Sequence, residues 1–478
     1  MQVLHIAAEC YPAAKVGGLG DVVGALPKYL CAAGTSAAVI IPKYALKWFD
    51  DKHFSTVYEG NVRLQNQYQP FDIQKYNGAD LGFEFFVANI KNKFARNGIY
   101  NDLETGYGYG DEVSRWLCFQ QAVLKWIGAF SPEHQPKILH CHDHHTGLIP
   151  FFIKYCPEYR QLSQLKTVFT IHNGLYTGAY SWRSSNLLPL YQAQAQGLLD
   201  WDDTINPLAS AIRCADVVTT VSGSYLNELM QSANGLEWLY RNEAHKSIGI
   251  VNGIDAEVWD PKTDAALVAT LKTSILAFKL ANKTEIINQF DLQPDLPMVT
   301  FVGRLVAEKG ADLIPDIISR VLNSGLKVNF VILGSGDPQI AEHIQGLTHY
   351  FPQNVGVRIA YNEKLAHVLY AASDFLLMPS LIEPCGLNQL YAMRYGSVPI
   401  VRSVGGLRDT VPDIGEPDGS GRGIRFDRFS GEDGFWAIYR AVELYKDKKA
   451  MLELQKKLIA IDSSWEKTVK IYQDIYGL

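Results

Sequence analysis

Two series of short apolar runs limit what this chain can become. In the first half VLHIAA (3–8), AAVIIP (37–42), KILHCH (137–142), TVFTIH (167–172) and VVTTVS (217–222) read as strands buried on both faces, each followed by loop-forming residues. After IGIVNGIDAEVWDP the pattern begins again, with MVTFVG (298–303), VNFVILG (328–334), VRIAY (357–361), DFLLMP (374–379) and VPIVR (398–402). Each gap in this second series holds one crossover helix. The expectation is two α/β units with a hinge near residues 249–260, and 478 residues exceed what one core holds. Ligands of such open sheets bind beyond the carboxyl ends of the strands.

Composition removes several function classes. A net charge of -6 argues against a nucleic-acid partner, which calls for a basic excess. Seven scattered cysteines without a C-x-x-C pair indicate neither a zinc knuckle nor a disulfide framework, and fit a reducing cytoplasm. The first residues lack the pattern of a secretory leader, and no apolar run approaches the roughly 18 residues of a membrane span.

The stretch KVGGLGDVVGALPKYL (15–30) follows the first strand directly. Leu19, Val22, Val23, Leu26 and Leu30 have the spacing of one helix face. Gly17, Gly18 and Gly20 then occupy the turn into that helix, where a backbone without side chains can approach an anion and Lys15 adds a charge. Taken alone the stretch is equally a tight turn with a solvated lysine. It matches neither the G-K-[ST] loop nor G-x-G-x-x-G, so it suggests an anion without specifying which.

Similar chemistry recurs in the second half. VGRLVAEKGADLI puts Arg304 and Lys309 past a strand end, and Glu383 lies beyond DFLLMP with Cys385, Gly386 and Leu387 at the next helix start. Gly405 and Gly406 follow VPIVR as a third glycine-bearing start. These cations and amides could surround a diphosphate without a metal. Asp202 and Asp203 in WDDT read as a turn or helix cap, not as a D-x-D site. HCHDHHTGL offers histidines and an aspartate, but His140 and His142 share one strand face while Asp143 to His145 enter a loop, so no metal is expected there.

Several motifs carry a family likeness: K-x-G-G-L-G-D-V at 15–22, H-x-H-D at 140–143, F-T-I-H-N at 169–173, T-V-S at 220–222, V-N-G-I-D at 251–255, G-R-L-x-x-x-K-G at 303–310 and E-P-C-G-L-x-Q-L-Y at 383–391. In order and spacing they resemble the bacterial glycogen synthase and plant starch synthase family. The resemblance implies a GT-B fold, two Rossmann-like doubly wound domains facing across a deep cleft. It gives an N-terminal domain over 1–248 on the acceptor side, a nucleotide-sugar domain over 249–456, and a final helical segment, 457–478, crossing back to the first.

The activity implied is transfer of glucose from ADP-glucose to the non-reducing end of an α-1,4-glucan such as glycogen, with retention and no cofactor. A UDP-glucose or small-acceptor glucosyltransferase of the same fold is the alternative. Lys15, Arg304 and Lys309 would hold the diphosphate, aided by amides at Gly17, Gly18, Gly386 and Leu387, next to Cys385. Glu383 would bind donor glucose hydroxyls, Tyr361 would stack on the base, and Asn252 would join the donor site. His172, through its backbone carbonyl, and Asp143 would face the sugar, with Tyr100 nearby. The E-x7-E pairing of other retaining transferases is absent, because Tyr391 takes the second place. Tyr107, Tyr109 and Trp182 are candidate acceptor contacts. Leu381 and Ile382 depart from the usual basic-aromatic pair, and His144 from the usual aromatic. The sequence is silent on oligomeric state.

Overall fold

A computed structural model describes all 478 residues. It divides into two compact units, Met1–Gly253 with Trp465–Leu478, and Ile254–Ser464.

The first unit holds a nine-stranded sheet and a three-stranded one. The strands in chain order are β1 (Val3–Ile6), β2 (Ala37–Pro42), β3 (Phe54–Leu64), β4 (Gln67–Tyr76), β5 (Glu84–Ile90), β6 (Ile138–His142), β7 (Lys166–Ile171), β8 (Tyr180–Ser181), β9 (Asp200–Trp201), β10 (Thr204–Ile205), β11 (Val217–Thr220) and β12 (Ser247–Gly249). The large sheet runs β12-β11-β7-β6-β1-β2-β5-β4-β3. It is parallel from β12 to β5, then antiparallel through β4 and β3. The chain leaves β1 toward β2 on one side and later returns to β6 on the other. Their carboxyl ends therefore flank a topological switch point, where α/β sheets bind ligands.

The β3–β4 hairpin escapes a search for fully buried runs because its residues alternate between core and solvent, as an antiparallel ribbon with one wet face does. Asp202 and Asp203 form the two-residue turn between β9 and β10, both at positive φ, the geometry of a tight hairpin. That accounts for WDDT without a metal.

The last helix, Trp465–Tyr476, belongs to the first unit. It buries Trp465, Val469, Tyr472 and Tyr476 against Val3 and against Val22, Leu26 and Leu30 of the helix Gly18–Ala32. The Tyr476 hydroxyl reaches Nδ1 of His140 at 2.7 Å.

The second unit has six parallel strands: β13 (Met298–Val302), β14 (Asn329–Gly334), β15 (Val355–Ile359), β16 (Phe375–Met378), β17 (Val398–Arg402) and β18 (Ile424–Phe426). Their order, β15-β14-β13-β16-β17-β18, is 3-2-1-4-5-6 when counted within the unit, the doubly wound nucleotide-binding order. Its switch point lies between β13 and β16. A buried ion pair braces the start of β16, where Asp374 accepts from Lys283 at 2.6 Å and from the Met298 amide at 2.8 Å.

Two expectations shift. β15 starts two residues earlier than VRIAY suggests, because the buried pair Val355–Gly356 belongs to it and Gly356 interrupts the apolar run, while the exposed residues are Arg358 and Ile359 at its end. The unit boundaries fall after Gly253 and Ser464, not after 248 and 456. The helix Lys448–Ala460 buries Met451 and Leu458 in the second unit's core, which keeps that segment with it.

Candidate active site

In the second unit the turns leaving β13 and β16 are stitched together. Beyond β13 the chain makes two short 3₁₀ turns, Ala307–Lys309 and Ala311–Leu313, so Lys309 sits on a turn before the helix Ile314–Asn323. Gly310, at φ +66, lies so close to β16 that a Cβ there would meet the Pro379 carbonyl oxygen at 2.1 Å. Glycine is the residue this approach permits. The amides of Leu381 and Ile382 donate to the Glu308 carbonyl at 2.9 and 3.1 Å.

This stitching brings Lys309 onto Glu383. The ammonium contacts both carboxylate oxygens, at 2.7 and 2.8 Å, and the Ser380 hydroxyl donates to Oε2 at 3.0 Å. Glu383 is 4% exposed, while the Lys309 side chain keeps 26%. The lysine keeps an open side for a second anion. Arg304, past the end of β13, is more exposed and pairs loosely with Glu308 at 3.5 Å.

The turn 383–387 is held from below. Gln389 donates to the carbonyls of Cys385 and Gly386 and to the Thr410 hydroxyl. Leu387 caps the helix Asn388–Arg394 without a side-chain hydrogen bond, leaving first-turn amides to solvent or ligand. Gly386 is at φ +73 and Cys385 is a buried free thiol. Gly405 and Gly406 are not a third anion cradle. A Cβ on either would strike the carbonyl oxygens of Glu383 or Cys385 at 2.1 or 2.3 Å, so these glycines let the chain pack against that turn. Arg402 braces the turn that carries Leu381 and Ile382, donating to the carbonyls of Ser380 at 2.7 Å and Leu381 at 2.5 Å. Tyr361, 73% exposed, stands beyond β15, two strands from β13.

In the first unit the sequence reading missed the organising residue, Glu9, one turn past β1. Its Oε2 accepts from the amides of Val16 and Gly17 at 2.6 and 3.0 Å, and its Oε1 from the Tyr100 hydroxyl at 2.6 Å. Burial raises the Glu9 pKa, and the Tyr100 and amide hydrogen bonds pull the other way. The Gly17 amide, expected on the diphosphate, donates to Glu9 in this structure. Gly20 lies inside the helix Gly18–Ala32, and its missing side chain makes room for Glu9 and Lys15. Gly18 opens that helix, which has no side-chain cap. Lys15 pairs with Asp21 at 2.7 Å and lies over the Tyr11 ring.

Replacing Glu9 tests this arrangement. Glu9→Ala frees two amides and Tyr100 at once, and is expected to lower kcat/KM for the donor by about tenfold to 100-fold, the equivalent of one to two charged hydrogen bonds. Glu9→Gln, which can still accept from the amides, is expected to lose less. Steady-state kinetics of the two variants decides, and equal rates in wild type and Glu9→Ala would remove Glu9 from the site.

At the ends of β6 and β7, Asp143 and His172 come together. Asp143 adopts φ 54, and its Oδ1 accepts the His172 amide at 2.7 Å. Burial pushes the Asp143 carboxyl up to about 7, against the pull of the His172 and Asn173 amides. His172 is 8% exposed and burial lowers its pKa to about 3, so the ring is neutral near pH 7. Its Nε2 lies 3.0 Å from Nδ1 of His142. Asn252 is buried, with Oδ1 unpartnered.

His144 packs with its ring tilted against that of His145, centroids 3.8 Å apart, and against Gly178, where a Cβ would meet its ring at 2.4 Å. Tyr109 is also structural, with its ring under Arg96 and Arg115. Trp182 donates to Asp200, while Tyr107 is 78% exposed.

The structure also joins His5 to His140 and His142, with one nitrogen of each within 4.8 Å of the others. The sequence separates His5 from HCHDHH by more than a hundred residues, and only the pairing of β1 with β6, which sets His5 beside His140, reveals the cluster.

Comparison with known proteins agrees with both units. The family model described as the starch synthase catalytic domain matches residues 2–242, and the one described as glycosyl transferases group 1 matches residues 296–419. The chain is 46% identical to the glycogen synthase of Flavobacterium johnsoniae, over 100% of this chain and 99% of that protein. It is 37% identical to that of Streptococcus sanguinis, with the same coverage. The solved catalytic domain of starch synthase IV from Arabidopsis thaliana, bound to ADP and acarbose, superposes with a TM-score of 0.89 at 32% identity, covering 100% of this chain and 98% of that one. No helix is long and apolar enough to cross a membrane. The fold is GT-B, and the chain belongs to the glycogen and starch synthase family of glycosyltransferases.

Proposed function

We propose that this protein extends an α-1,4-glucan such as glycogen, transferring glucose from ADP-glucose to the non-reducing end with retention at the anomeric carbon. The observation that carries this reading is the Lys309–Glu383 pair at the switch point of a sheet with nucleotide-binding order. Lys309 and Arg304 bear the charge developing on the departing diphosphate, with Lys15 adding a cation from the first unit and the Gly18, Gly386 and Leu387 amides assisting. Glu383 accepts from donor glucose hydroxyls, and Tyr361 stacks on the base. Asn252, whose buried Oδ1 has no partner, is available to a donor hydroxyl.

A double displacement needs a carboxylate nucleophile and a second acid about 5 Å away. Glu383 instead has both oxygens on Lys309. We therefore assign a same-face displacement. The acceptor hydroxyl oxygen bonds to the anomeric carbon as the bond to ADP breaks, and its proton passes to a departing phosphate oxygen. The His172 peptide carbonyl faces the positive charge on the sugar, held in place by Asp143. The seven free thiols suit a reducing cytoplasm.

The test is ADP release. Purified protein is expected to release ADP from ADP-glucose only when glycogen is added, and far more slowly from UDP-glucose. Release from UDP-glucose at equal or greater rate, or release onto a small acceptor with none onto glycogen, would replace this reading with that of a related glucosyltransferase.

A further inference from the structure

Behind His172 lies a set of buried rings that the proposed chemistry does not use. Nδ1 of His5 is 3.1 Å from Nε2 of His142, and Nδ1 of His142 is 3.0 Å from Nε2 of His172. His5 and His142 are fully buried. His140 stacks on His142 at 4.2 Å and is itself engaged at both nitrogens, by Tyr476 and by Thr170. Both nitrogens of His142 are likewise engaged. The cluster is thus a hydrogen-bonded one, and a metal ion would have to break those bonds.

We propose that His5 and His142 are positioning residues, a chain of hydrogen-bonded imidazoles that fixes the ring tautomer of His172 and with it the peptide facing the reacting sugar. The inference rests on the role given to His172 above.

Burial holds all three rings neutral, with His5 and His172 lowered to about 3 and His142 well below its ordinary value. A hydrogen bond between neutral imidazoles needs one N–H and one lone pair, so each proton position dictates the next. Two arrangements satisfy the chain. They differ at its inner end, where Nε2 of His5 is buried without a partner. An orphaned N–H in the core is rarer than an orphaned acceptor, so that nitrogen carries the lone pair. His5 then donates from Nδ1 to His142, His142 donates from Nδ1 to His172, and His172 carries its proton on Nδ1. The ring is held by this chain and the amide by Asp143, which leaves the His172 peptide little freedom.

Ring ¹⁵N spectra of the full-length protein, with the His172 signal assigned by its loss in His172→Asn, read the tautomer directly. The expected result is a proton on Nδ1 in the wild type, and a mixed or reversed tautomer in His142→Leu. Kinetically, misplacement of this kind can cost on the order of 10²-fold. That loss is expected in kcat of His142→Leu with the donor KM little changed, and His142→Asn, whose amide nitrogen stands where Nδ1 did, recovers part of the rate. His5→Leu is expected to show the same split with a smaller loss, and His5→Asn a partial recovery.

A wild-type His172 protonated on Nε2 would overturn the proposal. So would a tautomer unchanged in His142→Leu, or equal losses in the Leu and Asn variants. Stoichiometric metal in the purified protein that disappears in His5→Asn would also overturn it. Should His142→Leu fail to fold, the wild-type tautomer and the Asn variants still decide. If the wild type releases no ADP from ADP-glucose, the proposed function fails, while the tautomer measurement stands unaffected.

Discussion

Lys309→Ala is expected to lower kcat by about 10²-fold to 10³-fold, with the donor KM changing much less, because the ammonium is worth most where charge appears in the transition state. Its place on the turn after β13 is fixed by Gly310, which lies against Pro379. The substitution has a second effect. Glu383 loses its counter-ion and keeps only Ser380 among its side-chain donors, a loss of about 1–3 kcal/mol for a largely buried acceptor. A thermal melt separates the two effects. A variant that melts a few degrees lower but turns over normally would show that the pair is structural.

Glu383→Ala is the second large effect. It removes the acceptor for donor hydroxyls and leaves Lys309 unneutralised, so a rate loss on the order of 10³-fold is expected, with Glu383→Gln nearer 10²-fold because the amide keeps the shape and one acceptor. Intact-mass measurement after mixing wild type with ADP-glucose should show no added hexose. A stable adduct on Glu383 would replace the same-face displacement with a covalent route.

Lys309 and Glu383 each stood out in the sequence because their motifs are contiguous, although their pairing did not. G-R-L-x-x-x-K-G and E-P-C-G-L each straddle the end of an apolar run, so strand, turn and charged residue are read together. Lys15, just before the first helix, stood out for the same reason. Groups whose meaning depends on strand pairing did not. Glu9 is an unremarked acid until the loop returns the Val16 and Gly17 amides to it, and His5 gains its partners only when β1 lies beside β6. Glycine was the other source of error. The pair 405–406 and Gly20 look like ligand-facing gaps, yet the space they leave is filled by the protein's own backbone and side chains. A missing Cβ signals close approach, and the sequence alone does not say of what.

The account's central claim is that cations and amides of the chain carry the charge of the departing ADP. Glycogen-dependent ADP release, measured in excess EDTA, tests that most directly. The wild type is expected to keep its full rate under chelation. Loss of turnover in EDTA, restored by a divalent cation, would contradict the claim.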